Sequence, residues 1–153
     1  MRPYFVAFLD VLKTFYADIS PWQFSDGPPP TLTLAAQHPC VGPLVLFDEG
    51  TELTLEFGTK YHCHFEGCDA ETCEADRMIN AAVRAADFVD RILRERIGVA
   101  VHFEDCRCTG ASLLYLDDLG VSAEDLAAST AGLCGGTIRT ERFLWTGPIA
   151  NPT

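Results

Sequence analysis

The segment TELTLEFGTKYHCHFE, residues 51–66, holds two runs of alternating polar and apolar residues separated by a glycine. Alternation with a period of two is typical of a strand with one buried face, and Gly58 between the runs predicts a hairpin. A three-residue turn beginning at Gly58 pairs Phe57 with Tyr61 and places the apolar residues of both runs on one face. A two-residue turn would move both histidines onto that face, where burying unpaired polar groups is costly. We therefore predict the three-residue turn.

The polar residues of the two runs then share the other face of the hairpin. Glu56 is expected opposite His62 and Thr54 opposite His64, whereas Cys63 points to the apolar face. Exposed aromatic and acidic residues together on one surface suit recognition of a basic protein patch. The candidate partner-binding residues are Glu52, Glu56, His62, His64 and Glu66.

Short β-rich runs also precede the hairpin. TLTLAA begins at Thr31 and GPLVLFD at Gly42, and turn-forming residues separate the runs, so an antiparallel meander is predicted. Upstream, apolar residues at helical spacing over residues 4–16 predict an amphipathic helix. The proline-rich SPWQFSDGPPP that follows this helix predicts a loop.

A long helix is predicted after the hairpin, over residues 70–97, with Asp69 as its N-cap and Gly98 as the left-handed residue that ends it. Its apolar stripe is expected to consist of Ala75, Met78, Ile79, Ala82, Val83, Ala86, Val89, Leu93 and Ile97. VAVHF, ASLLYL and TIRTERFLW predict strands, and SAEDLAAST predicts a short helix. The resulting fold class is α+β: an antiparallel β-meander with a long helix and further strands in one sheet, helices packed on the sheet, and a single domain over residues 1–153.

Charge is the unusual feature of the composition. Twenty-two acidic residues outnumber eleven basic ones, and the net charge of -11 disfavours binding to nucleic acid or to an anionic membrane. Neither a signal peptide nor a membrane span is predicted, because Asp10 and Lys13 interrupt the N-terminal apolar run. Seven irregularly spaced cysteines without an export signal indicate reduced thiols. We expect a cytoplasmic protein that binds neither nucleic acid nor membranes.

Two kinds of chemistry stay open at the hairpin. His62 and His64 project from the same face of one strand, and Glu56 on the neighbouring strand can complete a three-ligand metal site. Glu56, Glu66 and His62 can instead serve in acid–base catalysis, because nearby carboxylates favour the charged form of histidine. A nucleophilic pair of His102 with Cys106 or Cys134 has no nucleophile-elbow signature to support it.

The hairpin and the helix after it resemble one group of bacterial polymorphic-toxin immunity proteins. In that group, a strand ending in Phe-Gly, a short turn and a strand carrying His-x-His-Phe precede a helix that leads into a further strand. The matching residues here are Phe57, Gly58, His62, His64 and Phe65, followed by the predicted helix and strand over residues 70–103. The resemblance implies a cytoplasmic inhibitor that binds a cognate toxin domain and blocks its active site or substrate groove.

We therefore predict a non-enzymatic immunity protein that needs no cofactor. It would neutralise a cognate bacterial toxin domain by covering the active site of that domain with an acidic surface. A basic toxin domain is the expected partner, because a net charge of -11 attracts it over long range. The first alternative is a small cytoplasmic metal-binding protein or metal-dependent enzyme that uses His62, His64 and Glu56, and the second is a stress or assembly adaptor without a toxin partner.

Overall fold

The computed structural model of the chain describes residues 1–58, 61–67, 73–104, 107–116 and 138–149. Over these residues it contains two helices and nine strands, and the strands form two antiparallel sheets. The elements are α1 (Pro3–Phe15), β1 (Trp22–Ser25), β2 (Thr31–Leu34), β3 (Leu44–Asp48), β4 (Glu52–Phe57), β5 (Tyr61–Glu66), α2 (Glu74–Leu93), β6 (Ile97–Glu104), β7 (Arg107–Tyr115), β8 (Ile138–Leu144) and β9 (Gly147–Pro148). The predicted α+β class is confirmed.

The chain divides into two compact units. The first unit comprises Met1–Ala36 and Gly42–Asp90, and the second comprises Gln37–Val41 and Arg91–Thr153. The first unit contains a five-stranded sheet in the order β1-β2-β3-β4-β5. Each strand of this sheet pairs with its neighbour in the chain, as the predicted meander requires.

The register of the β4–β5 hairpin is the one that the three-residue turn predicts. Phe57 pairs with Tyr61, and Leu55 pairs with Cys63. Gly58 has a positive φ of 59°, a conformation that glycine adopts at low cost. The alternation of apolar and polar residues therefore fixes which face of the hairpin is buried.

Both helices pack on the apolar face of the five-stranded sheet. Phe8 of α1 contacts Trp22 of β1 edge to face, with 5.4 Å between the ring centroids. Phe88 of α2 contacts Phe65 of β5, with 5.5 Å between the ring centroids. The core between these layers is almost completely removed from water: Phe5, Phe8, Leu12, Leu32, Leu44, Leu46, Leu53, Leu55 and Phe57 are each 2% exposed or less.

The buried face of α2 matches the predicted stripe in part, because Ala82, Ala86 and Val89 are buried as predicted. Its buried side consists of Ala81, Ala82, Ala85, Ala86, Val89 and Ile92, all with 0% exposure. Ile79 and Val83, which the prediction placed in the apolar stripe, are 52% and 44% exposed. A row of alanines allows a helix to lie close to a sheet, whereas branched side chains in that row would hold it further away.

The end of α2 also differs from the prediction. Glu95, with a φ of 58°, is the left-handed residue beyond the helix. Its N–H donates to the carbonyl of Ile92 at 2.9 Å, and the N–H of Arg96 donates to the carbonyl of Arg91 at 2.8 Å, which is the Schellman pattern of a helix C-terminus. Gly98 lies inside β6 instead, where an added Cβ atom would stand 2.8 Å from a backbone oxygen of β8. The predicted N-cap, Asp69, lies outside the described residues.

The loop predicted for SPWQFSDGPPP contains a strand. Residues of β1 pair with β2 over Trp22 to Ser25. The prediction was wrong because the alternation of Trp22, Gln23, Phe24 and Ser25 lasts only four residues and stands among prolines, so the turn-forming residues outweighed it. As a sheet edge with three of its four residues exposed, β1 carries a weak strand signal.

The second unit contains a four-stranded sheet in the order β7-β6-β8-β9. The runs VAVHF, ASLLYL and TIRTERFLW fall on strands as predicted, but they form this separate sheet instead of extending the meander. The reason is that β6 pairs with β7 on one side and with β8 on the other, so neither of its edges is open to the meander. The predicted short helix in SAEDLAAST lies outside the described residues. Within the described residues, neither helix combines the length and the apolar character that crossing a membrane demands.

Candidate functional site

The structure places all five predicted partner-binding residues on one face of the β4–β5 hairpin. Glu52 is paired with Glu66, and Glu56 with His62, while His64 lies across from Thr54. This face is opposite to the one that α1 and α2 cover. We call the group Glu52, Thr54, Glu56, His62, His64 and Glu66 the polar hairpin face.

A hydrogen-bond network holds His64 in this face. Its Nδ1 lies 3.0 Å from Oε1 of Glu52 and 2.9 Å from Oγ1 of Thr54. The Thr54 hydroxyl donates to Oε1 of Glu49 at 3.3 Å, so that its oxygen accepts from His64. Because both neighbours of Nδ1 act as acceptors, the proton belongs on Nδ1. The network fixes the imidazole orientation and leaves Nε2 with no hydrogen-bond partner in the described part of the chain.

His62 lies next to this network on the same strand. Its ring meets the ring of His64 edge to face, with a centroid separation of 5.5 Å. Both histidines are exposed, and β5 forms one edge of the sheet. The two rings therefore form a single exposed aromatic surface flanked by glutamates.

An apolar centre adjoins the polar hairpin face, and the sequence did not single it out. In the sheet register, Val45 pairs with Glu56 and Phe47 pairs with Thr54, so both β3 residues lie on this face. Both are partly exposed. The signal was hidden because LVLFD is apolar on both faces, so its outward residues look like core residues in the sequence. A partly exposed apolar centre bordered by charged residues is the usual anatomy of a protein interface.

Cys63 belongs to the other face of the hairpin, as predicted. It lies across from Leu55, and its Sγ is 3.9 Å from the Leu55 carbonyl oxygen. Burial raises the pKa of its thiol to about 12. The thiol therefore stays protonated near neutral pH and does not contribute a thiolate to the histidine pair.

The alternative metal site receives no geometric support. Among the residues that the structure describes, no three His, Cys, Asp or Glu side chains converge as the ligands of one ion would. Glu56 lies across from His62 in the register, while the hydrogen bonds of His64 go to Glu52 and Thr54 instead. His62, His64 and Glu56 are thus neighbours on one face without forming a ligand set.

His102 occupies a different setting, in the second unit. Its Nδ1 lies 3.1 Å from Oγ1 of Thr140 on β8, and its Nε2 lies 3.2 Å from Oγ of Ser112 on β7. Both ring nitrogens are therefore engaged by hydroxyl groups of neighbouring strands. Cys106 and Cys134, the cysteines considered as its nucleophilic partners, lie outside the described residues.

The polar hairpin face contains two exposed histidines and three glutamates, and it lies beside the partly exposed side chains of Val45 and Phe47. Such a surface can attract a basic protein and then bury apolar area against it.

Comparisons with protein-family models, with curated proteins and with solved structures gave no match to this chain.

Proposed function

We propose that the protein is an immunity protein, a cytoplasmic and non-enzymatic inhibitor that binds a cognate basic toxin domain. The observation that carries the proposal is the polar hairpin face, where Glu52, Glu56 and Glu66 surround an exposed histidine pair beside Val45 and Phe47. In this proposal the face covers the active site or substrate groove of the toxin domain.

Electrostatics supports a basic partner. The net charge of -11 gives the protein a long-range field that accelerates encounter with a positively charged domain. A toxin that acts on nucleic acid needs a basic substrate groove, and carboxylates on an inhibitor match the charge of the phosphates that this groove binds. The same charge opposes binding of the protein itself to nucleic acid.

Preorganisation supports the role of the hairpin in particular. The bond between His64 and Glu52 holds one carboxylate in place before any partner arrives, so less side-chain entropy is lost on binding. Only 16% of the Glu52 side chain is exposed, compared with 49% of that of His64. His64 therefore offers Nε2 to the partner, while Glu52 contributes mainly charge.

The partner can be identified through gene context and tested by rescue. The gene immediately upstream is expected to encode a large protein with a variable C-terminal domain, and expression of that domain alone should arrest growth. Co-expression of this chain should restore growth. A neighbourhood of metabolic genes together with no rescue would reject the immunity function.

The surface can be tested by reversing one charge. Glu56→Lys on the polar hairpin face should slow association with the toxin domain by about tenfold or more in stopped-flow measurements. Asp87→Lys is the matched control, because it changes charge equally at an exposed position of α2, on the helix-covered side of the same unit. If both variants slow association equally, the net charge of the protein sets the association rate, and the polar hairpin face has no special role in binding.

A further inference from the structure

A cavity of about 480 Å³ lies in the first unit, away from the polar hairpin face. The start of α1, the end of β3 and the first turns of α2 line it, and the residues that matter are Pro3, Tyr4, Asp48, Glu74, Ala75 and Met78. The volume falls in the range of pockets that bind small molecules or single side chains. Its walls are largely apolar, and two carboxylates interrupt them.

Asp48 is the unusual residue of this cavity. It is only 2% exposed. Its Oδ1 accepts a hydrogen bond of 2.9 Å from the N–H of Gly50, but its Oδ2 is buried and has no hydrogen-bond partner within the described residues. Buried carboxylate oxygens are almost always satisfied, because leaving one without a donor is costly. Oδ2 of Asp48 can therefore accept a hydrogen bond that no described residue supplies.

Tyr4 does not supply this donor. Its hydroxyl donates to the carbonyl oxygen of Thr51 at 2.9 Å. Burial raises the pKa of Tyr4, and the negative charges of Glu74 and Asp48 raise it further. The Tyr4 hydroxyl therefore stays protonated near neutral pH. The negative charges of Glu74 and Asp48 both act on this residue.

Two arginines lie near the cavity without neutralising it. Arg2 is one of its lining residues, and Arg77 acts on Tyr4 with its positive charge. Over the described ranges of the chain, neither arginine forms an ion pair with Asp48 or Glu74. Within the described residues, neither carboxylate is thus neutralised by an ion pair with these arginines.

We propose that this cavity binds an alkylammonium or alkylguanidinium group. The cationic head donates to Oδ2 of Asp48 and lies near Glu74, and the alkyl stem lies against Met78 and Ala75. A small free amine and a lysine or arginine side chain of another protein share this chemistry. The proposal does not depend on the immunity function, because it concerns a different surface of the first unit.

Methionine methyl resonances provide the test. The chain has two methionines: Met78 lines both this cavity and the neighbouring groove of about 550 Å³, whereas Met1 lines that groove only, so a shift of Met78 without one of Met1 reports on the cavity. In protein labelled with ¹³C at the methionine methyl groups, titration with n-butylguanidinium chloride should shift Met78 saturably and leave Met1 in place. The uncharged probe n-butanol should shift Met78 far less. Equal responses to the two probes would overturn the proposal.

Substitutions test whether the cation binds at the carboxylate of Asp48. Asp48→Asn retains an oxygen for the Gly50 N–H but removes the charge, and it should weaken n-butylguanidinium binding at least about tenfold. Asp10→Asn, at an exposed carboxylate of α1 outside the cavity, should bind as the parent does. If Asp48→Asn does not fold, Glu74→Gln serves in its place and should weaken binding about threefold. Parent-like binding by the folded variant would reject the site.

The source of the cation is distinguished by a second probe. A tripeptide of alanine, arginine and alanine, blocked at both ends, presents the same guanidinium on a peptide backbone. If it shifts Met78 at lower concentration than n-butylguanidinium does, the natural ligand is a protein side chain. If the free cation binds more tightly, the natural ligand is a small molecule. No Met78 shift from either probe would contradict the proposal.

Discussion

Cys63 illustrates at the scale of one residue how the two faces of a strand create different chemistry. Its neighbours His62 and His64 are exposed, but Cys63 faces the core, and burial raises its pKa to about 12. The nucleophilic form of a cysteine is the thiolate, so a raised pKa makes the thiol unreactive near neutrality.

We predict that Cys63 reacts at least about tenfold more slowly with iodoacetamide at pH 8 than Cys40 does, because Cys40 is exposed. Peptide mapping by mass spectrometry after timed alkylation measures both rates in one sample. Unfolding in urea should make the two rates similar. Equal rates in the folded protein would contradict the burial of Cys63.

The same residue predicts how stability changes at alkaline pH. In the unfolded chain Cys63 ionises near its ordinary pKa of 9.0, whereas in the folded protein it ionises only near 12. The unfolded state therefore loses its proton first, and the free energy of unfolding falls between these two values. Below pH 9 the contribution is fully present.

Cys63→Ala should remove this part of the pH dependence. The variant is expected to be less stable at pH 8, because it leaves a small cavity, but its stability should decline less steeply above pH 9. The difference in slope is at most about 1.4 kcal/mol per pH unit. Urea unfolding of parent and variant from pH 8 to pH 11 measures it, and parallel curves would contradict the shift.

At the scale of an element, α2 depends on a row of small residues. Ala81, Ala82, Ala85 and Ala86 have 0% exposure, so no space remains for a larger side chain between the helix and the core. Overpacking of such a position forces neighbouring side chains or the backbone to move.

Ala85→Leu should therefore lower the free energy of unfolding by about 1–3 kcal/mol. Val83→Leu, at a position of the same helix that is 44% exposed, should change it by less than about 0.5 kcal/mol. Chemical denaturation of both variants provides the comparison. Similar stabilities for the two variants would show that the alanine row does not set the distance between helix and sheet.

Strands with one buried face could be predicted from the sequence, because burial of one face requires apolar and polar residues to alternate along the strand. The β4–β5 register follows from the cost of burying His62 and His64, so even the residue pairing is correct. The buried face of α2 could be predicted only in part: Ala82, Ala86 and Val89 are buried as predicted, but Ile79 and Val83 fit helical periodicity equally well and are exposed. The helix end was also hidden, since Glu95 takes a left-handed conformation that the sequence assigns to glycine.

At the scale of the whole molecule, charge dominates the expected behaviour. The net charge of -11 acts over roughly a Debye length, about 10 Å at 0.1 M salt, and therefore reaches beyond any one contact. Long-range attraction of this kind accelerates encounter and is weakened by salt.

Association with the proposed partner, a basic toxin domain, is accordingly predicted to slow about tenfold or more when the NaCl concentration is raised from 50 mM to 500 mM. The dissociation rate should change much less, because short-range contacts control it. Stopped-flow mixing at several salt concentrations separates the two rates. A salt-independent association rate would argue against a basic partner.

The two candidate sites differ in how much of them the sequence reveals. All six residues of the polar hairpin face lie within the fifteen positions 52–66, so their common face follows from strand geometry. The cavity joins the end of β3 to the first turns of α1 and α2, which are distant in the sequence. Asp48 ends an apolar strand and looks like an ordinary turn residue until its neighbours are known.

The pairing order of the two sheets has a consequence for the time course of folding. In the first sheet every strand pairs with the next one in the chain, so only short loops need to close. In the second sheet β6 must find β8, and Val99 pairs with Phe143 across a long stretch of chain. Closing that stretch costs more conformational entropy, so the meander should form first. In pulse-labelling hydrogen exchange, the amides of β3 and β4 should therefore become protected before those of β8. During synthesis on the ribosome, the hairpin surface proposed to bind the toxin would then fold before β8 has been made.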